Sequence, residues 1–305
     1  MAGYTYQERI GALFLAALAT GAYLCTLVYC LRWLSFSDQG WKLRKPIDRT
    51  SLTIALMLFA LSSIHITLAA VTTVEWAEYA VSRFVPNSSK LPWSATVMCT
   101  VTNTSVLITD GFLIYRCWLI CAKSLRSILF PSVFWVGGLV CTILQIYWQV
   151  VKSADIAGVW VPVNITIGPG TVLTPFWAST IVVNIYTTAR IVYRIWKAVK
   201  IQRNVRSSTR DLDFIARVLF DSGMVYLIVT IPHFIVWWTP NSSAAILVLG
   251  WINLPVLCST FNLIVIRTSQ YRAEGDQEWH TEGESNRRFR EELSGTTISV
   301  VTISN

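Results

Sequence analysis

Asp110 and Arg116 stand six residues apart in DGFLIYRCW, inside the apolar stretch Pro92 to Cys121. A carboxylate and a guanidinium can bind a proton, pair with an opposite charge or hold a polar ligand. In hydrocarbon each also needs compensation, because a charged side chain at the centre of a bilayer costs at least about 2.5 to 3.5 kcal/mol on insertion scales. Residues seven apart return to nearly the same face of a helix. Thr102, Thr109 and Arg116 therefore form one stripe and Asn103, Asp110 and Cys117 its neighbour, a continuous polar face that must look inward.

Depth selects the partners. At about 1.5 Å per residue, Arg116 sits roughly 10 Å from Lys123, in the cytosolic third of its helix. Asp221, four residues beyond Arg217, sits at a similar level, so Arg116 with Asp221 is the expected pair. Asp110 lies roughly 9 Å deeper than Arg116, near the midplane, where Asn184, Asn253 or Asn262 would hydrogen-bond a protonated carboxyl. His65 and His233 lie a little further out.

Such residues need a scaffold that crosses a membrane. The chain has 305 residues, 53% of them hydrophobic and 14% charged, with 14 tryptophans. That balance is unusual for a soluble domain. Seven runs reach the roughly 20 residues that a helix needs to span a bilayer: 10–34, 51–74, 92–121, 128–151, 169–196, 214–238 and 243–266. The expected fold is all-α, a seven-transmembrane-helix bundle over 10–266, with a short external N-terminus, 1–9, and a cytosolic, mostly disordered tail, 267–305. The first run is longer than the apolar core of a signal peptide and is expected to stay as the first helix.

The formal net charge of +8 suggests nucleic acid until the charges are placed. Lys42, Arg44, Lys45 and Arg49 follow the first span, Lys123 and Arg126 the third, and a basic series from Arg190 to Arg217 joins the fifth to the sixth. The other side carries Arg9, Arg83, Lys90 and Lys152. The positive-inside rule then sets the N-terminus outside and the C-terminus in the cytosol. Acceptor patterns at Asn87, Asn164 and Asn241 all fall in connections assigned outside and mark expected glycosylation sites. The expected partner is the lipid bilayer, in the plasma membrane or another membrane of the secretory pathway, and no nucleic acid. The 197–213 connection offers a basic surface to a cytosolic effector or to anionic lipid. All seven cysteines lie in or at the ends of spans, so no disulfide framework is implied.

The later spans carry Pro175, Pro232 and Pro255, which bend helices and open space between them. A pocket in the outer half is expected there, lined by Trp177, His233, Trp237 and Trp251 and joined by His65. The expected function is a receptor-like sensor of a small or apolar ligand, which acts by moving helix six against helix three. Arg116 and Asp221 are its bistable element, with Asp110, Asn184 and Asn262 completing the polar network. The competing expectation is a small-solute or proton-coupled transporter. Spans one to three and five to seven show no repeat of the kind small sugar transporters carry. No cofactor and no enzyme activity are expected. The seventh span has no lysine for a retinal Schiff base, and His65 and His233 make a thin ligand set for an intramembrane zinc hydrolase.

DGFLIYRCW, NIYTTARIVYRIW (Asn184 to Trp196), RVLFDSGMVY (Arg217 to Tyr226) and FNLIVIR (Phe261 to Arg267), in this order, resemble an uncharacterised seven-transmembrane-helix family of mushroom-forming (basidiomycete) fungi. The resemblance covers nearly the whole chain and implies the fold, not a reaction. The topology also resembles that of G-protein-coupled receptors, whose ionic lock an arginine on helix three facing an acid on helix six looks like. The details depart: Tyr115-Arg116-Cys117 replaces Asp-Arg-Tyr, Asn253-Leu254-Pro255 lacks the rest of Asn-Pro-x-x-Tyr, and no external-loop cysteine is available to Cys99. Fold analogy alone does not carry G-protein coupling over.

Overall fold

A computed structural model describes residues 5–37, 42–43, 48–82, 93–151, 170–203, 210–236, 238–239 and 244–270. Among them run seven helices: α1 (Tyr6–Ser35), α2 (Arg49–Ser82), α3 (Trp93–Ile120), α4 (Arg126–Val151), α5 (Gly170–Arg203), α6 (Arg210–Val236) and α7 (Ala244–Gln270). Between α1 and α2, β1 (Phe36–Ser37) pairs antiparallel with β2 (Lys42–Leu43), Phe36 opposite Leu43. Among the described residues the regular structure is thus all helical apart from this minimal ribbon. Five helices, α1 to α4 and α7, are long and apolar enough to cross a bilayer, which makes this a helical membrane protein. The apolar stretch of α5 is diluted by threonines and Asn184, and that of α6 is described as the shorter Gly223–Val236. α7 continues to Gln270, so the first residues of the expected tail are helical, and 271–305 lie outside the described residues.

Local chemistry sets the helix ends. Thr5 caps α1 in a reciprocal box: the Glu8 amide donates to Thr5 Oγ1 at 3.3 Å and the Thr5 amide to Glu8 Oε2 at 2.7 Å. Asp48 caps α2, accepting from the Ser51 amide at 3.3 Å and the Ser51 hydroxyl at 3.0 Å. α3 ends where Ala122 and Lys123 take positive φ of 54° and 59°, and the Lys123 amide reaches back to the Trp118 carbonyl at 2.9 Å.

Polarity is inverted relative to a soluble domain. Val28, Leu129, Val133 and Ile228 are all more than 60% exposed, whereas Ser105, Thr109, Asp110, Asn184, Thr187 and Asn262 are buried. The apolar surface meets lipid, and the polar groups find each other inside. Hydroxyls that cannot cross to a neighbour fold back on their own helix, as Thr109 does on the Ser105 carbonyl at 2.9 Å and Thr187 on that of Val183 at 2.7 Å. Half of the apolar segment of α3 and 56% of that of α7 are buried, against 22% for α1 and α4. α3 and α7 therefore form the axis of the bundle. α3 packs on α2, α4 and α5, while α5 packs on α4 and α6. Phe112, Tyr226, Leu254, Leu257 and Phe261 are part of the central apolar cluster. Pro131, Pro175 and Pro232 lie inside α4, α5 and α6, and Pro255 inside α7.

Among the described glycines the tightest setting is that of Gly223 on α6, where a Cβ would lie 2.9 Å from Thr188 Oγ1 and 3.1 Å from Thr188 Cγ2 on α5. Thr188 is β-branched and stiff, so it cannot swing away. Gly223→Ala should lower the melting temperature of the detergent-purified protein, because overpacking of about 1–3 kcal/mol exceeds the helix-propensity gain of about 0.5–1 kcal/mol. Adding Thr188→Ala should restore it. Gly21→Ala, where nothing lies within 4 Å, should be neutral or mildly stabilising.

Candidate functional site

α3 carries Asp110 into the centre of the bundle, 3% exposed, facing α5 and α6. Thr180 Oγ1 on α5 donates to Asp110 Oδ2 at 2.5 Å and lies 3.3 Å from the Tyr226 hydroxyl on α6. A threonine hydroxyl has one proton, and Thr180 gives it to the carboxylate, so Tyr226 is the donor to Thr180. Both O–H groups then point along one chain toward Asp110, and the carboxylate is the end that gathers them. Thr230, one turn further along α6, contacts Tyr226 and lies 3.5 Å from Asn253 Nδ2 on α7. A polar chain thus joins α3, α5, α6 and α7 through the middle of the bundle. Its unused atoms are acceptors, Asp110 Oδ1 and Asn253 Oδ1, and Asn184 Oδ1, one turn from Thr180 on α5, is likewise buried without a hydrogen-bond partner among the described residues.

The expected asparagine partners are not those that hold Asp110. Asn184 sits one turn beyond Thr180 on α5, Asn253 turns to Thr230, and Asn262 donates to Thr26 Oγ1 of α1 at 3.2 Å. The shorter threonine takes the carboxyl because it stands level with it on the facing helix. The inward polar face of α3 is present, with Asn103, Thr109, Asp110 and Cys117 buried and Arg116 half-buried.

Arg116 reaches the C-terminal end of α7, donating to the Thr268 hydroxyl at 2.7 Å and the Ile264 carbonyl at 3.3 Å. Its guanidinium lies 4.4 Å from the Phe112 ring centre, and Phe112 lies 4.8 Å from Phe261 of α7. Arginine thus joins α3 to α7 by charge-assisted hydrogen bonds and a cation–π contact. Asp221 lies on α6, with its side chain outside the described residues, as are Trp237, Asn87, Asn164 and Asn241.

Of the expected pocket residues, Trp177 of α5 and His233 of α6 meet edge to face at 4.8 Å. Gly250 of α7 completes this corner, since a Cβ there would lie 3.6 Å from His233 Nε2. Trp251 belongs to a separate cluster with Ala12, Ala16, Ala69 and Leu247. His65 is buried on α2.

Sequence reasoning did not single out Thr180 or Tyr226. It also missed a second polar cluster, in which Asn103 Nδ2 hydrogen-bonds Gln145 Oε1, and Gln145 Nε2 donates to Gln149 Oε1 at 3.3 Å. Gln145 and Gln149, four apart on an otherwise apolar helix, were a readable signal of a buried amide pair. No protein-family model and no curated protein matches the chain.

Thr180→Val should cost about 1–2 kcal/mol, the upper range for an interhelical hydrogen bond in a bilayer protein. The same substitution should cost less when Asp110 is already leucine, because the bond is then absent in both forms. Equal losses in the two backgrounds, read as thermal melts, would show that Thr180 and Asp110 act independently.

Proposed function

We propose that the chain is a receptor-like sensor in a seven-span bundle, with the N-terminus outside, the C-terminus in the cytosol and a small or apolar molecule as ligand. The observation that carries this reading is the Trp177–His233 corner on α5 and α6, beside Gly250 of α7. It lies one turn from Thr180 and Thr230, which belong to the polar chain ending at Asp110. Aromatic faces suit an apolar body, and the imidazole supplies one polar contact. A ligand there touches α5 and α6 together. Differential contact with two arrangements of α6 is what converts binding into a signal.

At the cytosolic end the Arg116 contacts with Thr268 and Ile264 are the bonds such a movement would strain or release, with Asp221 as the acid that takes the guanidinium in the other arrangement. An effector would read that change on the 197–213 connection. Support for the orientation comes from the concentration of Lys and Arg in the connections assigned inside. Glycosylation at Asn87, Asn164 or Asn241 belongs to the same reading, as does residence in the plasma membrane or another membrane of the secretory pathway. The buried carboxyl of Asp110 favours a second reading, a small-solute or proton-coupled transporter, because an ionisable group is enclosed within an apolar helix.

Reporter tags on the two termini should fall in opposite compartments in intact cells, and tags found on one side would reject the seven-span arrangement. A panel of small apolar molecules should include some that raise the melting temperature of the reconstituted protein. Trp177→Ala and His233→Ala should each weaken the half-maximal concentration by about tenfold, equivalent to about 1.4 kcal/mol. Stabilisation untouched by either change would remove the pocket from the reading, and concentrative solute uptake into proteoliposomes would favour the transporter.

A further inference from the structure

We infer that Asp110 anchors a binding site for one small monovalent cation of the sodium type, built between α3, α5 and α6. The site is made of oxygen. Asp110 presents Oδ1, 97% out of contact with the surface and without a hydrogen-bond partner among the described residues, while Oδ2 is held by Thr180. Asn184, one turn along α5 from Thr180 and on the same face, presents a second buried oxygen without a partner. The Tyr226 hydroxyl, 3.3 Å from the Thr180 hydroxyl that holds Asp110, adds a neutral oxygen from α6. A buried carboxylate oxygen together with neutral oxygens on the helices packed against it has the ligand chemistry of a hard cation.

Charge selects the ion. One carboxylate balances one positive charge, whereas a divalent ion would leave an uncompensated charge in a low-dielectric core. Among the described residues no three of His, Cys, Asp and Glu gather in a metal-binding group, which sets aside the sites preferred by transition metals. The cationic group on the same helix, Arg116, lies roughly 9 Å further along and reaches toward Thr268 of α7. His233 is seven residues from Tyr226 along α6 and packs on Trp177. Cation binding would draw α3 and α5 together at mid-depth and so rigidify the bundle.

The experiment uses the full chain in nanodiscs of zwitterionic lipid, with no organic ligand, so it is independent of the sensor reading. Melting temperature is followed against NaCl, with choline chloride holding ionic strength constant. The expected result is a rise of several degrees that saturates with sodium, is lost in Asp110→Asn and shifts to severalfold higher sodium in Asn184→Leu. Gln145→Leu, in the other polar cluster, should keep the wild-type half-saturating concentration. Radioactive sodium binding to the wild-type protein should give one site per chain, and this arm does not depend on any variant folding. Identical melts in sodium and choline, a sodium response that survives Asp110→Asn, or no saturable sodium binding would each overturn the inference.

Discussion

In the hydrocarbon of a bilayer no water is at hand to complete a polar group, and the packing of this protein follows from that shortage. Thr109, Ser105 and Thr187 turn their hydroxyls back on their own helices, whereas Asp110, Asn253 and Asn262 are satisfied, wholly or in part, by a neighbouring helix. Many apolar side chains face outward, while Phe112, Leu254, Leu257 and Phe261 still pack at the centre. Polar pairing therefore decides which helix sits beside which. Asn262 with Thr26 joins α7 to α1, Asn103 with Gln145 joins α3 to α4, and Thr180 with Asp110 joins α5 to α3. Each such bond is modest, about 0.6 kcal/mol on average. Their value lies in fixing rotation about each helix axis, which uniform apolar packing leaves loosely set.

The centre of the bundle differs from these pairwise ties. From Tyr226 through Thr180 the donors converge on one carboxylate, and the atoms left over are oxygens. The amide cluster of Asn103, Gln145 and Gln149 also ends on an unpartnered atom, but there it is a donor, Gln149 Nε2. The central network stays open at Asp110, beneath an aromatic corner that faces a different chemistry. The two lie within a few turns of each other on α5 and α6, so an event at either is felt by the same pair of helices.

Much of this was legible in the sequence, because burial in lipid leaves a periodic trace. The seven-residue recurrence of Asn103, Asp110 and Cys117 gave the inward face of α3, and the apolar runs gave the helices to within a few residues at many of their ends. Trp177 and His233 were expected only as two of the residues lining an outer-half pocket, and their edge-to-face contact was not read from the sequence. Depth alone failed to choose between threonine and asparagine as the partner of Asp110. Threonines are scattered through these spans, and most satisfy themselves within one turn, so a sequence does not reveal which one turns outward. It likewise placed Arg116 at its level without revealing its contact with Thr268, since level says nothing of the direction a long side chain takes.

The contact of Gly223 with Thr188 bears on how α6 can move. With no side chain on one helix and a stiff branched one on the other, the Thr188 side chain of α5 is seated against the backbone of α6 at this level, and sliding there would drive atoms into each other. What stays open is rotation about that contact, as about a fulcrum. Gly223 stands midway along α6, with Pro232 and His233 on one arm and the Arg210 end of the helix on the other, so a swing of one arm becomes an opposite swing of similar size in the other. The ratio of the two arms is written into where the glycine falls.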